Sequence, residues 1–290
     1  MRRYAFLIVV FCFWLVPVKA QRSILFKIKY IPNHIYQSDV SMTSNIEMHF
    51  ENLSKEDSDK MIKKGITNPL MLSTSTLSDL TISAGTLSAQ NTFPIIFKFN
   101  DVKETGTLNG EEMPGGSTAI SGHSICATST QTNDLHLDSV SGKPLDTSLR
   151  KGLIAMFNAM ANELHLPEKT IKSGDTFTQE IPFNMTISGA DAAIKITATY
   201  KLISIKKGLA TFNIDQSSVF GINNTESSQT LTGKGGGHGE MTYDIKRNFP
   251  KTISRDLSFD FEMRYKGQLM KAKTKINSFY LFSVADNRTN

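Results

Sequence analysis

The chain has 290 residues, with 32 lysines and arginines set against 27 acidic side chains. No basic run concentrates that small excess on one face, so composition argues against a nucleic-acid partner. Two cysteines, Cys12 and Cys126, are too few and too far apart in context to staple a small fold, so stability has to come from core burial.

Residues 1–20 have the three parts of a cleaved export signal. Arg2 and Arg3 form the positive start, Ala5 to Val16 is an unbroken apolar run, and Pro17 ends it. Val18 and Ala20 put small residues three and one positions before a cut at Gln21. The apolar run is shorter than the roughly 18–20 residues a membrane-spanning helix needs, and no later segment replaces it as an anchor. Cleavage removes Arg2, Arg3 and Lys19, which leaves 29 basic against 27 acidic side chains. It also removes Cys12, so Cys126 stands alone and no internal disulfide can form, and it removes Trp14, the one tryptophan. The expected location is periplasmic or extracellular.

Downstream, apolar residues alternate through Ile24, Phe26, Ile28 and Tyr30. They do so again after Pro32-Asn33 through Tyr36, Val40, Met42, Ile46, Met48 and Phe50. Period two marks strands with one buried and one wet face. Lys55–Lys64 reads as a short polar helix stopped by Gly65, while 66–92 has weak periodicity and is left unplaced. Further strands are expected around 93–107, 120–140, 177–188 and 240–247. A helix is predicted over 147–165, capped by Asp146-Thr147-Ser148, with Leu149, Leu153, Met156, Phe157, Met160 and Leu164 on one stripe before Pro167.

Two hairpins follow. Ile194–Ile205 and Leu209–Ile214 flank Lys206-Lys207-Gly208, a register that sets Leu202 against Phe212 and Tyr200 against Ile214. Leu257 to Tyr265 and Met270 to Ile276 flank a two-residue turn placed at Gly267-Gln268. That turn pairs Glu262 with Lys273 and Asp260 with Lys275, and leaves Arg264 opposite Lys271.

The fold class expected is mainly β (α+β): a long curved antiparallel sheet packed around one central amphipathic helix. After a signal at 1–20, it divides into a β-rich half at 21–145 and a helix-plus-β half at 146–290, which the parallel layout hints are related.

No motif carries chemistry. The tract Gly233 to Gly239 has neither phosphate-loop nor dinucleotide spacing, and the alternation after it makes it a strand with room for close approach. His123, Cys126 and His136 lack compact zinc spacing, and His123 and Cys126 fall on opposite strand faces, so no metal is expected. Ser148–Lys151 and Ser204–Lys207 match a loose SxxK pattern without its companion elements. Asp260 and Glu262 share a face but pair with lysines. No catalytic residue and no cofactor is assigned, and the chain is read as a non-enzyme.

The segments FKIKYIPNHIYQSDVSM at 26–42, LHLPEKTIKSGDTF at 164–177, KKGLATFNI at 206–214 and GKGGGHGEMTYDIKRNFP at 233–250 resemble a family of exported proteins and lipoproteins of Bacteroidota whose function is unknown. The layout is also similar to that of LolA-like lipoprotein carriers, by fold analogy alone. Phe177 stands where tryptophan is expected in that family, and no cysteine follows the signal to hold a lipid. The resemblance transfers no site residues.

The functional expectation is an exported, non-enzymatic binding protein for an apolar small molecule or a protein partner. Its site would be an apolar groove in which Met156, Phe157 and Met160 face Phe259 and Phe261. The alternatives are a hydrolase of envelope material and a purely structural envelope protein.

Overall fold

Alternation at period two becomes strand along nearly the whole chain in a computed structural model. The structure describes residues 23–286 apart from 64, 133, 143, 145–146, 148–149, 151–153, 155–156, 158–168, 188–189, 225–228 and 266–267. The signal segment, with its cleavage site Ala20-Gln21, and positions Met156 and Met160 lie outside the described residues.

Among the described residues fourteen strands and one continuous helix follow in chain order. β1 (Ser23–Phe26) and β2 (His34–Glu51) precede α1 (Lys55–Lys63). After α1 come β3 (Leu70–Ala84), β4 (Thr92–Leu108), β5 (Glu111–Ser117), β6 (Ser124–Thr130) and β7 (Leu135–Ser141). The rest are β8 (Lys169–Lys172), β9 (Thr176–Ile187), β10 (Ala190–Lys206), β11 (Leu209–Asn224), β12 (Gln229–Asp244), β13 (Phe249–Tyr265) and β14 (Gln268–Asp286). Twelve strands form one antiparallel sheet in the order β7-β6-β4-β3-β2-β14-β13-β12-β11-β10-β9, with β5 beside β4. The seam between the two expected halves is a ladder: β14 pairs with β2 from Asp286–His34 to Leu269–Glu51. One sheet therefore runs through both.

Its two faces differ. Tyr36, Ile82, Phe97, Tyr200, Phe212 and Tyr243 belong to the buried cluster on one face. The other carries Asp39, Glu47, Lys273, Asp260, Lys234 and Asp215. Segment 23–31 lies across the apolar face. Phe26, fully buried, has ring centroids 5.4 Å from Phe177, 4.7 Å from Phe212 and 4.9 Å from Tyr243. Tyr30 does the same farther along, against Tyr36, Phe97 and Phe249. We call this the filled face, and the end where these contacts lie the proximal end.

At 147–165 the described positions Thr147, Arg150, Ile154 and Phe157 are helical, and Phe157 is buried with its ring 5.2 Å from Phe97. The sheet-around-a-helix expectation needs correction here. Among the described residues the apolar face is filled chiefly by the strap 23–31, whose Ile24, Phe26, Ile28 and Tyr30 all enter the core.

The hairpins show how register is settled. Leu202 pairs with Phe212 and Tyr200 with Ile214 as expected, but the loop is two residues, Lys207-Gly208, at φ 50° and 79°. Positive φ at both is the type I′ geometry that matches strand twist. The residue left over is taken up by a bulge between Leu202 and Ser204. The last hairpin slips by two from the expected register: Tyr265 pairs with Gln268, so Glu262 faces Lys271 and Asp260 faces Lys273. A slip of two keeps every side chain on its face. It also relieves the like-charge pair: Lys271 bonds Glu51 at 2.9 Å, and Arg264 bonds Glu262 at 2.9 Å.

The glycine tract lies inside β12, and its spacing lets neighbouring strands crowd in. A Cβ on Gly237 would sit 1.9 Å from the Asp256 carbonyl oxygen, a backbone atom that cannot swing aside. Segment 66–92, unplaced from the sequence, holds β3. The expected strand at 120–140 is the β6–β7 hairpin, and the helix expected at 55–64 is α1, with Gly65 at φ 72° as its stop.

Candidate functional site

The filled face is not apolar throughout. Stepping away from the proximal end, the rows crossing the sheet bring together Ser78, Thr76 and Thr74 of β3, Ser44 of β2, Ser278 of β14 and Gln216 of β11. Gly237 and Gly239 of β12 fall in the same rows and add no side chain. Ser218 of β11 is next, 3% exposed, its Oγ without a hydrogen-bond partner. Arg255 of β13 enters this belt with its Cγ 3.2 Å from where a Cβ on Gly239 would be. Burial pushes its guanidinium pKa below the ordinary value, with Tyr280 opposing. The row of Ser218 also carries Phe259, Thr274, Ile46 and Leu72, and Phe261 lies one step farther out.

The second feature is the proximal rim, where strand turns meet the strap. The Ile245 amide donates to the Gly208 carbonyl (3.0 Å), and the Lys29 amide donates to the Asn248 carbonyl (3.3 Å). The Tyr243 hydroxyl donates to the Lys27 carbonyl at 2.5 Å. Burial raises the Tyr243 pKa to about 12, against the bond to Lys27, which lowers it. These bonds gather Lys27, Lys29, Lys206, Lys207, Lys246 and Lys251 at one end of the sheet. Asp244 on this rim is held by Arg247 at 2.9 Å, and Asp175 of the β8–β9 turn accepts from the Leu202 amide through its carbonyl at 3.0 Å. Desolvation raises the Asp244 pKa, but hydrogen bonds from the Arg247 side chain and from the amides of Arg247 and Lys246 outweigh it and bring it below the ordinary value.

The groove expected from the sequence is not assembled. Phe157 packs on Phe97, whose row crosses β2 at Tyr36, whereas the row of Phe259 crosses β2 at Ile46. Ten residues along a strand separate them by about 33 Å. Phe259 and Phe261 instead lie 6.1 Å apart at the far end, with Phe261 4.6 Å from Phe220. His123 is buried at 3% exposure, and Cys126 is a half-buried free thiol on the opposite face. Among the described residues no group of three His, Cys, Asp or Glu could hold a metal ion, and no helix is long and apolar enough to cross a membrane. The sequence missed the rim because its lysines come from three segments that only the fold brings together.

No protein-family model matches the chain, and no curated protein matches it. Solved structures similar to it include Pseudomonas aeruginosa OccK5 (OpdH), at 5% identity over 85% of this chain and 98% of that one, TM-score 0.25. P. aeruginosa OccK7 (OpdD) matches at 5% identity over 86% and 99%, TM-score 0.25. A mutant of Rh. blastica porin matches at 8% identity over 86% and 100%, TM-score 0.21. Likeness at this level assigns no activity and no residue. The expectation of a binding protein for an apolar ligand or protein partner, with its hydrolase and structural alternatives, is corrected. The groove which that expectation required does not form, since Phe157 and Phe259 lie at opposite ends of the sheet.

Proposed function

We propose that the chain is an exported envelope protein of the transport class, in which the filled face offers a path for small polar solutes. The observation that supports this reading is the set of polar side chains Ser44, Thr74, Thr76, Gln216, Ser218 and Ser278, with Arg255, on the middle of a face whose proximal end is packed with aromatic rings. Of these Ser218 is buried and the others half-buried, and a hydroxyl buried without a partner costs stability because it loses its hydration. The buried, unbonded Ser218 hydroxyl is such a cost. Solute contact gives those groups a use.

The opposite face mixes charges such as Asp39, Glu47, Lys273 and Asp260 with exposed Leu77, Val219 and Phe279, and those charges favour a sheet that works in water, since a lipid-facing barrel wall is apolar outward. Export rests on the signal at 1–20 and on the resemblance to exported Bacteroidota proteins. Uptake of radiolabelled small carboxylates, amino acids and sugars by the source organism tests the reading. Removing the chain, or replacing Thr76 and Gln216 by Val and Leu in a chain that still folds, should lower uptake of at least one polar solute several-fold. Unchanged uptake across the panel in the deletion strain would refute it.

A further inference from the structure

We infer that the proximal rim docks the protein on an anionic lipid surface. Three backbone-anchored segments converge there: the strap at 27–29, the β10–β11 turn and the β12–β13 turn. Together they present Lys27, Lys29, Lys206, Lys207, Lys246 and Lys251. None of these six ammonium groups is held in an ion pair among the described residues. Elsewhere on the sheet Lys271 is neutralised by Glu51, Lys195 by Glu180 and Lys103 by Asp101, each at 2.9 Å. Of the acids at this end, Asp244 is held by Arg247 and Asp286 by His34, and Asp175, beside Leu202 in the β8–β9 turn, is outnumbered by the lysines. Cations outnumber acids at this end, and the field there is positive.

Charge alone would suit any polyanion. Two exposed aliphatic side chains favour a bilayer. Leu25, on the outer side of β1, is 49% exposed, and Ile203, the bulge residue beside the β10–β11 turn, is 41% exposed. The two are linked through one short stretch: β1 pairs with β8, and the Ser173 hydroxyl just after β8 donates to the Ile203 carbonyl at 2.7 Å. Apolar groups among lysines are the pattern of a surface that lies in the headgroup region, with cations on phosphates and aliphatic side chains below them. Each lysine near an anionic membrane contributes roughly a factor of five in affinity.

Co-sedimentation of the purified full chain with vesicles tests the inference. Binding is expected to phosphatidylcholine vesicles containing phosphatidylglycerol, not to phosphatidylcholine alone, and to disappear in high salt. A Lys206→Gln, Lys246→Gln, Lys251→Gln variant should bind on the order of a hundredfold more weakly. Leu25→Ser with Ile203→Ser should lower affinity with no change in the salt dependence. A matched control, Lys271→Gln, Lys273→Gln, Lys275→Gln, removes the same charge from the far end of the sheet and should bind as the parent does. All these positions are at the surface, and thermal melts verify folding. Equal binding to both vesicle types, equal weakening by the two triple variants, or capture by heparin without capture by the anionic vesicles would each overturn it.

Discussion

The two ends of the same sheet face are built on different terms. At the proximal end the strap 23–31 crosses five or more strands, and Phe26 and Tyr30 each touch three aromatic rings. At the far end Phe259, Phe261 and Phe220 meet one another, and a glycine rather than a side chain lies beneath each contact. A Cβ on Gly235 would strike the Phe259 ring at 2.3 Å, and one on Gly233 would strike Phe220 at 1.9 Å. The proximal end is closed by sequence-distant chain, the far end by rings folded onto bare backbone. Global stability is therefore concentrated where the strap is.

The strongest way to break that contrast is to truncate one ring at each end. Phe26→Ala removes a fully buried ring from a crowded cluster and should cost about 3–5 kcal/mol. Phe259→Ala removes a half-buried ring with fewer neighbours and should cost about 1–2 kcal/mol. Urea unfolding of the two variants measures the difference. Equal midpoints would mean that the far end is as much a part of the cooperative core as the strap.

Gly237→Ala tests the bare-backbone half of the argument. The added methyl would meet the Asp256 carbonyl at 1.9 Å, so β12 and β13 must part, at about 1–3 kcal/mol. The same substitution at Gly116, where a Cβ meets nothing within 4 Å, should be nearly silent by the same melt.

Much of this contrast could be read in the sequence, and the part that could not has a physical reason. Alternation located β2, β4, β9, β13 and β14 because one wet face and one dry face leave a period-two trace. It failed for β3, where Ser and Thr occupy both faces between Leu72 and Ser78, so no hydrophobic phase remains to be seen. Alternation fixes the face of a strand but not its register to within two residues, and so the last hairpin was set two residues off. Nothing local distinguishes the strap from an edge strand either: Ile24, Phe26, Ile28 and Tyr30 alternate as β2 does, and burial on the sheet is a long-range outcome. The proposed groove failed for that same reason, because a helix stripe and a strand stripe do not reveal at which end of a long sheet they meet. The hydroxyl belt was visible only as scattered Ser and Thr until pairing aligned them in rows.

The smallest expected effect concerns the hydrogen bonds that tie the rim to the core. Asp244 closes the β12–β13 turn by accepting from the amides of Lys246 and Arg247 and from the Arg247 guanidinium. Those bonds hold its carboxyl below its ordinary value of 3.8 in the folded chain. A carboxylate held low in the native state binds its proton later there than in the unfolded chain, so its stabilisation is complete above that ordinary value. The stabilisation drains away as the pH falls from about 4 through the lower folded value. Because the turn is partly wet, the loss should be only about half a kcal/mol. Comparing melts of the parent and Asp244→Asn from pH 6 to pH 2.5 isolates it: the parent's advantage should shrink below pH 4 and be flat above. An advantage that grew on acidification would mean that the aspartate is strained in this turn. The anchoring of the rim would then fall to the Tyr243–Lys27 bond, whose phenol stays protonated across the whole range.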